Sequence, residues 1–120
     1  MPPWNGPPAA IVEVVVRWGG REDRVWGLID SGADSTHVPR DIATSLRLRP
    51  VRELEVRGME NRTAIRRVYV ADVEFEGLVF RTVEVVESRL DFVLIGRDLP
   101  NELEALLNGP AQEFSLRNAL

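Results

Sequence analysis

The 120-residue chain predicts a mainly β fold, a small, partly closed barrel with two short helices. Three observations predict it. Apolar and polar residues alternate through most of the chain, the two-residue period of a half-buried strand. Glycine-containing turns separate these runs. Two apolar strands end alike, one in Leu28-Ile29-Asp30 and one in Leu94-Ile95-Gly96, and each is soon followed by a helix, which suggests a pseudo-twofold core.

The elements follow in order. Residues 1–8 hold four prolines and one glycine and read as a loose, extended arm. This sets a Pro-rich arm over 1–9 and one domain over 10–120. Residues 10–18 form a strand with Val12, Val14 and Val16 on one face and Ile11, Glu13, Val15 and Arg17 on the other. Gly19 and Gly20, with Arg21, Glu22 and Asp23, make a hairpin turn, and residues 24–29 return. Residues 39–46 predict a short helix with Pro39 near its start and Ile42, Ala43 and Leu46 on one face. Residues 52–57 alternate again, Gly58-Met59-Glu60-Asn61 turns, and residues 63–75 form the partner strand. The apolar phase of that strand changes from Val68 and Val70 to Val73 and Phe75, which predicts a bulge or bend near Ala71. A long hairpin with a glycine at its tip and a bend at its base suits a mobile cover; an ordinary hairpin is the alternative. Residues 77–86 form another strand, and 92–95 read as a short, fully buried one. Asp98 suits the cap of a second helix, with Leu99, Leu103, Leu106 and Leu107 on one face. Residues 114–116 suit a last strand.

Composition excludes much chemistry. There is no cysteine, hence no disulfide, thiolate nucleophile or thiolate metal site. All 15 basic residues are arginine, which excludes a lysine Schiff base and a P-loop lysine. The single histidine, His37, cannot build a histidine-rich zinc site. No Gly-x-Ser-x-Gly elbow is present, and His37 lies too close along the chain to Ser31 and Ser35 to serve as a separate base. Carboxylate chemistry or a mixed carboxylate metal site remains; the carboxylates are scattered and show no plausible ligand set, so no metal or cofactor is expected. The net charge of −4 argues against a nucleic-acid partner. Residues 9–16, the best apolar stretch, are interrupted by Glu13, and no run has the length of a transmembrane helix. The first residues lack a basic and an apolar signal region, so a cytoplasmic protein is the expectation.

The sharpest feature is Leu28-Ile29-Asp30-Ser31-Gly32-Ala33-Asp34-Ser35, where an apolar strand runs straight into a carboxylate, a hydroxyl and a glycine. A surface Asp-Ser-Gly turn is one reading. A catalytic carboxylate on a tight loop is the other, because a carboxylate at the end of a buried strand needs partners to hold it.

Two motifs then carry a resemblance. Leu28-Ile29-Asp30-Ser31-Gly32-Ala33-Asp34 resembles the apolar-Asp-Thr/Ser-Gly-Ala signature of the retroviral-type, or retropepsin-like, aspartic proteases. Val93-Leu94-Ile95-Gly96-Arg97-Asp98-Leu99 resembles their second signature, apolar-apolar-Gly-Arg-Asp/Asn. Order, separation and the intervening hairpin also fit, over residues 10–117. The resemblance implies a small closed β-barrel of the retropepsin-like acid protease type with one or two short helices. It implies an aspartic endopeptidase in which two carboxylates share one proton, since like charges about 3 Å apart cannot both ionise. The chain has one such motif, so the second Asp30 must come from a second copy in a homodimer.

The resemblance also distributes roles. Asp30, Ser31 and Gly32 form the catalytic loop, with the Ser31 hydroxyl bonding across the dimer and Gly32 admitting substrate backbone. Asp34 binds substrate backbone and is held by Arg97 through an ion pair. Leu28, Phe92 and Leu94 line side-chain pockets, a plain core role being the alternative, and Gly58 and Met59 cover the peptide from the flap. The resemblance places His37 near a pocket wall, although for a lone histidine a surface position is the favoured reading. The chain departs from viral members in two places. Its Pro-rich start is poorly suited to an interchain terminal sheet, which points to residues 114–116 for dimerisation. Its flap tip is charged, with one glycine, which implies a shifted substrate preference or slower closure. A dimeric peptide-binding module without chemistry is the competing function. The intact Asp30-Ser31-Gly32 favours the enzyme, because a module has little use for an aspartate that repels its own copy. An aspartyl-phosphate enzyme calls for Asp-x-Asp, which this loop lacks.

Overall fold

The computed structural model describes residues 10–30, 32–58, 60 and 62–99. The expected arm, the helix after Asp98 and the strand at 114–116 lie outside the described residues, as do Ser31, Met59 and Asn61. Within them the chain forms β1 (Ala10–Trp18), β2 (Arg21–Ile29), β3 (His37–Pro39), α1 (Arg40–Ser45), β4 (Pro50–Arg57), β5 (Thr63–Phe75), β6 (Leu78–Ser88) and β7 (Val93–Ile95).

The strands run in the order β1-β2-β7-β3-β6-β5-β4, and β1 also pairs with β5. That pairing, Val14 opposite Phe75 through Arg17 opposite Asp72, closes six strands into a ring and leaves β4 outside it. Two of the contacts in the ring are parallel, β2 with β7 and β3 with β6. The interior is filled by alternate residues: Val12, Val14 and Val16 of β1, Ile29 of β2, Val93 and Ile95 of β7, Val38 of β3, Val85 of β6, and Tyr69, Ala71, Val73 and Phe75 of β5. Phe75 stacks on Phe80 at 5.5 Å between ring centroids. Each fully buried Val, Ile or Phe contributes about 1.5–3 kcal/mol relative to exposure. Gly27 is required in this layer, because a Cβ there would stand 2.4 Å from Val14 Cγ2.

Directly paired residues project to the same face of a sheet. Pairing therefore defines a second row on the face away from the interior: Ile11, Leu28, Leu94, His37, Val86, Val68 and Arg52, one from each strand. Leu28, Val86 and Val68 in this row are buried, although none belongs to the barrel core.

The structure corrects several sequence expectations in detail. Gly19 and Gly20, both at positive φ, make the whole first turn, and Arg21, Glu22 and Asp23 already belong to β2. β3 was not expected. It is three residues long and ends on Pro39, which the helix pattern had claimed. The helix starts at Arg40, with Pro39 at its N-cap position and no side-chain cap. It ends in a Schellman arrangement: Leu48 N–H donates to Ala43 O at 2.9 Å, Arg47 N–H to Thr44 O at 3.1 Å, and Arg47 takes φ +55° where glycine is usual. The irregularity expected near Ala71 is present between Ala71 and Val73, but its extra residue lies in β6. Arg81 and Thr82 together oppose Asp72, and Thr82, at φ +55°, donates its N–H to Asp72 Oδ1 at 2.7 Å. The burial phase of β5 changes earlier, at Val68 and Tyr69, where both faces are covered.

Candidate active site

The Asp30 loop is built by the two β2–β7 strand ends. Asp30 N–H donates to Ile95 O at 2.9 Å, extending the parallel ladder one residue past β2. The chain then turns back on itself. Ala33 N–H donates to Asp30 O at 3.0 Å, and Gly32 N–H donates to Asp30 Oδ1 at 2.9 Å. These bonds fix the carboxylate through its own turn, the usual device of an aspartate at a tight corner. A side chain at Gly32 would place its Cβ 3.2 Å from that same oxygen.

A second loop, residues 96–98, is laced to the first. Arg97 N–H donates to Ala33 O at 2.8 Å. Gly96 packs so closely that a Cβ would sit 2.5 Å from Ser35 O. Thr36, fully buried, lies between the loops: its hydroxyl donates to Asp98 Oδ1 at 2.7 Å and accepts Gly96 N–H at 3.1 Å, while its carbonyl accepts Val86 N–H at 2.9 Å. Thr36 is the site residue that sequence reasoning missed. Asp98 was expected as a helix cap, and here its carboxylate serves the Thr36 hydroxyl.

The structure brings Arg97 Nη2 onto Asp34 Oδ1. Both side chains are well exposed in the single chain, 55 % and 83 %, so within one chain this is a surface pair, worth about 0–1 kcal/mol. Leu28 and Leu94 are cross-strand partners and His37 stands opposite Leu94. Leu94, Phe92 and His37 are half-buried, and Leu28 is buried. His37 is thus part of the row beside the Asp30 loop, with Nδ1 3.0 Å from Ser35 O, and not the surface residue expected. Gly58 is exposed at the end of β4, where its N–H donates to Arg62 O at 2.7 Å. Ser31 and Met59 lie outside the described residues. Among the described residues, no three His, Asp or Glu side chains gather to hold a metal ion, and no helix is long and apolar enough to cross a membrane.

Chemically, the arrangement presents one half-buried carboxylate at the mouth of an apolar row. The neighbouring carboxylates are committed, Asp34 to Arg97 and Asp98 to Thr36. Burial, reinforced by the Glu87 charge, pushes the Tyr69 phenol up; hydrogen bonding from Arg52 holds the Glu84 carboxyl down.

The sequence profile of a family described as aspartyl proteases matches residues 14–99. The chain belongs to the aspartyl protease family. Within this family, its barrel is of the retropepsin-like type found in retroviral proteases. The simian foamy virus (mac) protease, determined in solution, matches with a TM-score of 0.61 at 22% identity, over 84% of this chain and 99% of that one. The EIAV protease in an inhibitor complex matches with a TM-score of 0.57 at 15% identity, over 79% and 88%. A foamy viral protease–reverse transcriptase also matches, with a TM-score of 0.57 at 21% identity, over 85% of this chain and 15% of the larger one. No curated protein matches the chain in sequence.

Proposed function

We propose that this aspartyl protease family member is an aspartic endopeptidase that works as a homodimer, with Asp30 of each copy at the twofold axis. The observation that carries the reading is the Asp30 loop itself: a half-buried carboxylate held by Gly32 N–H and by the ladder to Ile95, with neither a cation nor a hydroxyl claiming it among the described residues. One carboxylate cannot both take a proton from water and give one to a carbonyl. Two copies can, if they share a single proton. The ionised Asp30 takes a proton from water as the water oxygen bonds to the scissile carbon. The protonated Asp30 gives its proton to the carbonyl oxygen, forming a gem-diol. Collapse breaks the C–N bond: one gem-diol hydroxyl gives its proton to the ionised Asp30 while the protonated Asp30 gives its own to the departing nitrogen, leaving the carboxylic acid, the amine and a dyad with its single proton restored.

The remaining residues follow from this. Ser31 braces the paired loops, and Gly32 lets substrate backbone approach. Asp34, oriented by Arg97, receives backbone N–H groups of the peptide. Leu28, Phe92 and Leu94 form apolar pockets, and Gly58 and Met59 close over them from the β4–β5 hairpin. No cofactor enters the chemistry.

The test is a pH–rate series on a peptide library with wild type and Asp30→Asn. We expect a bell-shaped profile with an acidic to mildly acidic optimum, inhibition by statyl compounds that mimic the gem-diol, and no effect of chelators. Asp30→Asn should be inactive. Cleavage by that variant at the wild-type rate, or loss of cleavage on chelation, refutes the mechanism. Peptide binding without any cleavage would identify a binding module instead.

A further inference from the structure

The β4–β5 hairpin has two unlike faces. β5 is continuous from Thr63 to Val68, so Ala64 and Arg66 project with Val68, and their partners Val56 and Leu54 do the same. This is the face of the row that holds Leu28, Leu94 and His37. Burial agrees with the assignment. Leu54, Ala64 and Arg66 are half-buried, with Val56 exposed toward the tip, whereas Glu53, Glu55, Thr63, Ile65 and Arg67 on the opposite face are all exposed.

The charges on the inner face do not balance. Arg52 is paired with Glu84 at 2.7 Å. Asp34 is taken by Arg97. Arg66 has no carboxylate partner among the described residues. Arg66 is half-buried as a residue, on the same face as the apolar row, and a guanidinium held there offers a carboxylate paired, charge-assisted hydrogen bonds.

We propose that Arg66 reads a carboxylate side chain on the bound peptide, so that the substrates are peptides carrying Glu or Asp within a residue or two of the cleaved bond. The inference deepens the endopeptidase reading and rests on it for the position of the cut. It rests on the hairpin face alone for where the acidic side chain binds.

The test uses pairs of fluorogenic peptides that differ only by Glu or Gln at each position flanking the bond, held near pH 6, where a free glutamate is ionised (ordinary value about 4.3). Wild type should cleave the Glu member with a kcat/KM about tenfold higher at the responsive position. Arg66→Leu should bring the Glu-to-Gln ratio of kcat/KM at that position to about one. Arg66→Lys should keep part of the preference. An unchanged Glu-to-Gln ratio in Arg66→Leu overturns the inference and leaves proteolysis standing. Binding of the same pairs to Asp30→Asn, followed by anisotropy, separates the two ideas. If wild type cleaves nothing, the endopeptidase reading fails, and a Glu preference in binding that Arg66→Leu abolishes still supports Arg66. Equal binding of Glu and Gln peptides overturns it.

Discussion

Thr36→Val removes one hydroxyl from the centre of the candidate site and changes almost nothing in volume. The cost follows from the bonds that hydroxyl makes. Gly96 N–H, which it accepts at 3.1 Å, is buried and would be left without a partner, at about 1–3 kcal/mol. The bond it donates to Asp98 Oδ1 at 2.7 Å goes too; Asp98 is exposed and regains water, so this part costs about 1 kcal/mol. The total is roughly 2–4 kcal/mol, a large share of the stability of a small domain. Thr36→Ser keeps the hydroxyl and loses one methyl, at about 1 kcal/mol. Urea unfolding followed by tryptophan fluorescence, at two protein concentrations so that dimerisation is accounted for, measures both. A Thr36→Val variant within about 0.5 kcal/mol of wild type, the scatter expected of a neutral surface change, would refute the reasoning. So would a serine variant as unstable as the valine one.

Arg97→Ala should weaken dimerisation and cleavage sharply if its pair with Asp34 orients that carboxylate toward substrate. Sedimentation and peptide turnover on the same variant read both effects, and an unchanged dimer with unchanged turnover excludes the orienting role. Tyr69 is the single tyrosine, and burial with the Glu87 charge raises its pKa. The neutral phenol is therefore favoured by folding: its contribution to stability is complete below the ordinary value of about 10 and is lost as pH rises through the raised one. An ultraviolet titration should show the phenol ionising above the free-tyrosine value, and ionisation at the free value would contradict the burial argument. Arg47→Gly should stabilise the chain by on the order of 1 kcal/mol, because Arg47 sits at φ +55° where glycine carries no strain. A thermal melt that moves down, not up, counts against that.

Long strands were legible from the chain alone. β5 was placed at Thr63–Phe75 because two apolar phases in succession, joined at one break, both read as extended chain over thirteen residues. Short elements were not. β3 has three residues, no period to read, and a proline that suits a helix start equally well. The bulge was detected through β5 but belongs to β6, because a slip between two strands marks both and only geometry shows which carries the extra residue. The Asp30 motif could be read because its residue types are unusual in that order. Thr36 could not, since a buried threonine in a polar loop resembles any turn residue until Gly96 and Asp98 arrive from the other end of the chain. His37 and Arg66 gain their surroundings from register, and register depends on which strands meet.

The closure of the ring bears on how the protein comes to be formed. The hairpins β1–β2, β4–β5 and β5–β6 join neighbours in sequence and can form early. The Asp30 loop depends on the parallel meeting of Gly27 with Val93 and on Thr36 reaching Gly96, contacts that must wait for the loop-closure entropy of most of the chain. A growing chain that has not reached β7 therefore lacks the scaffold that fixes Asp30. The loop is therefore fixed only after β7 has been made and has docked beside β2, and Thr36→Val should accelerate unfolding far more than it slows folding, as a chevron plot would show.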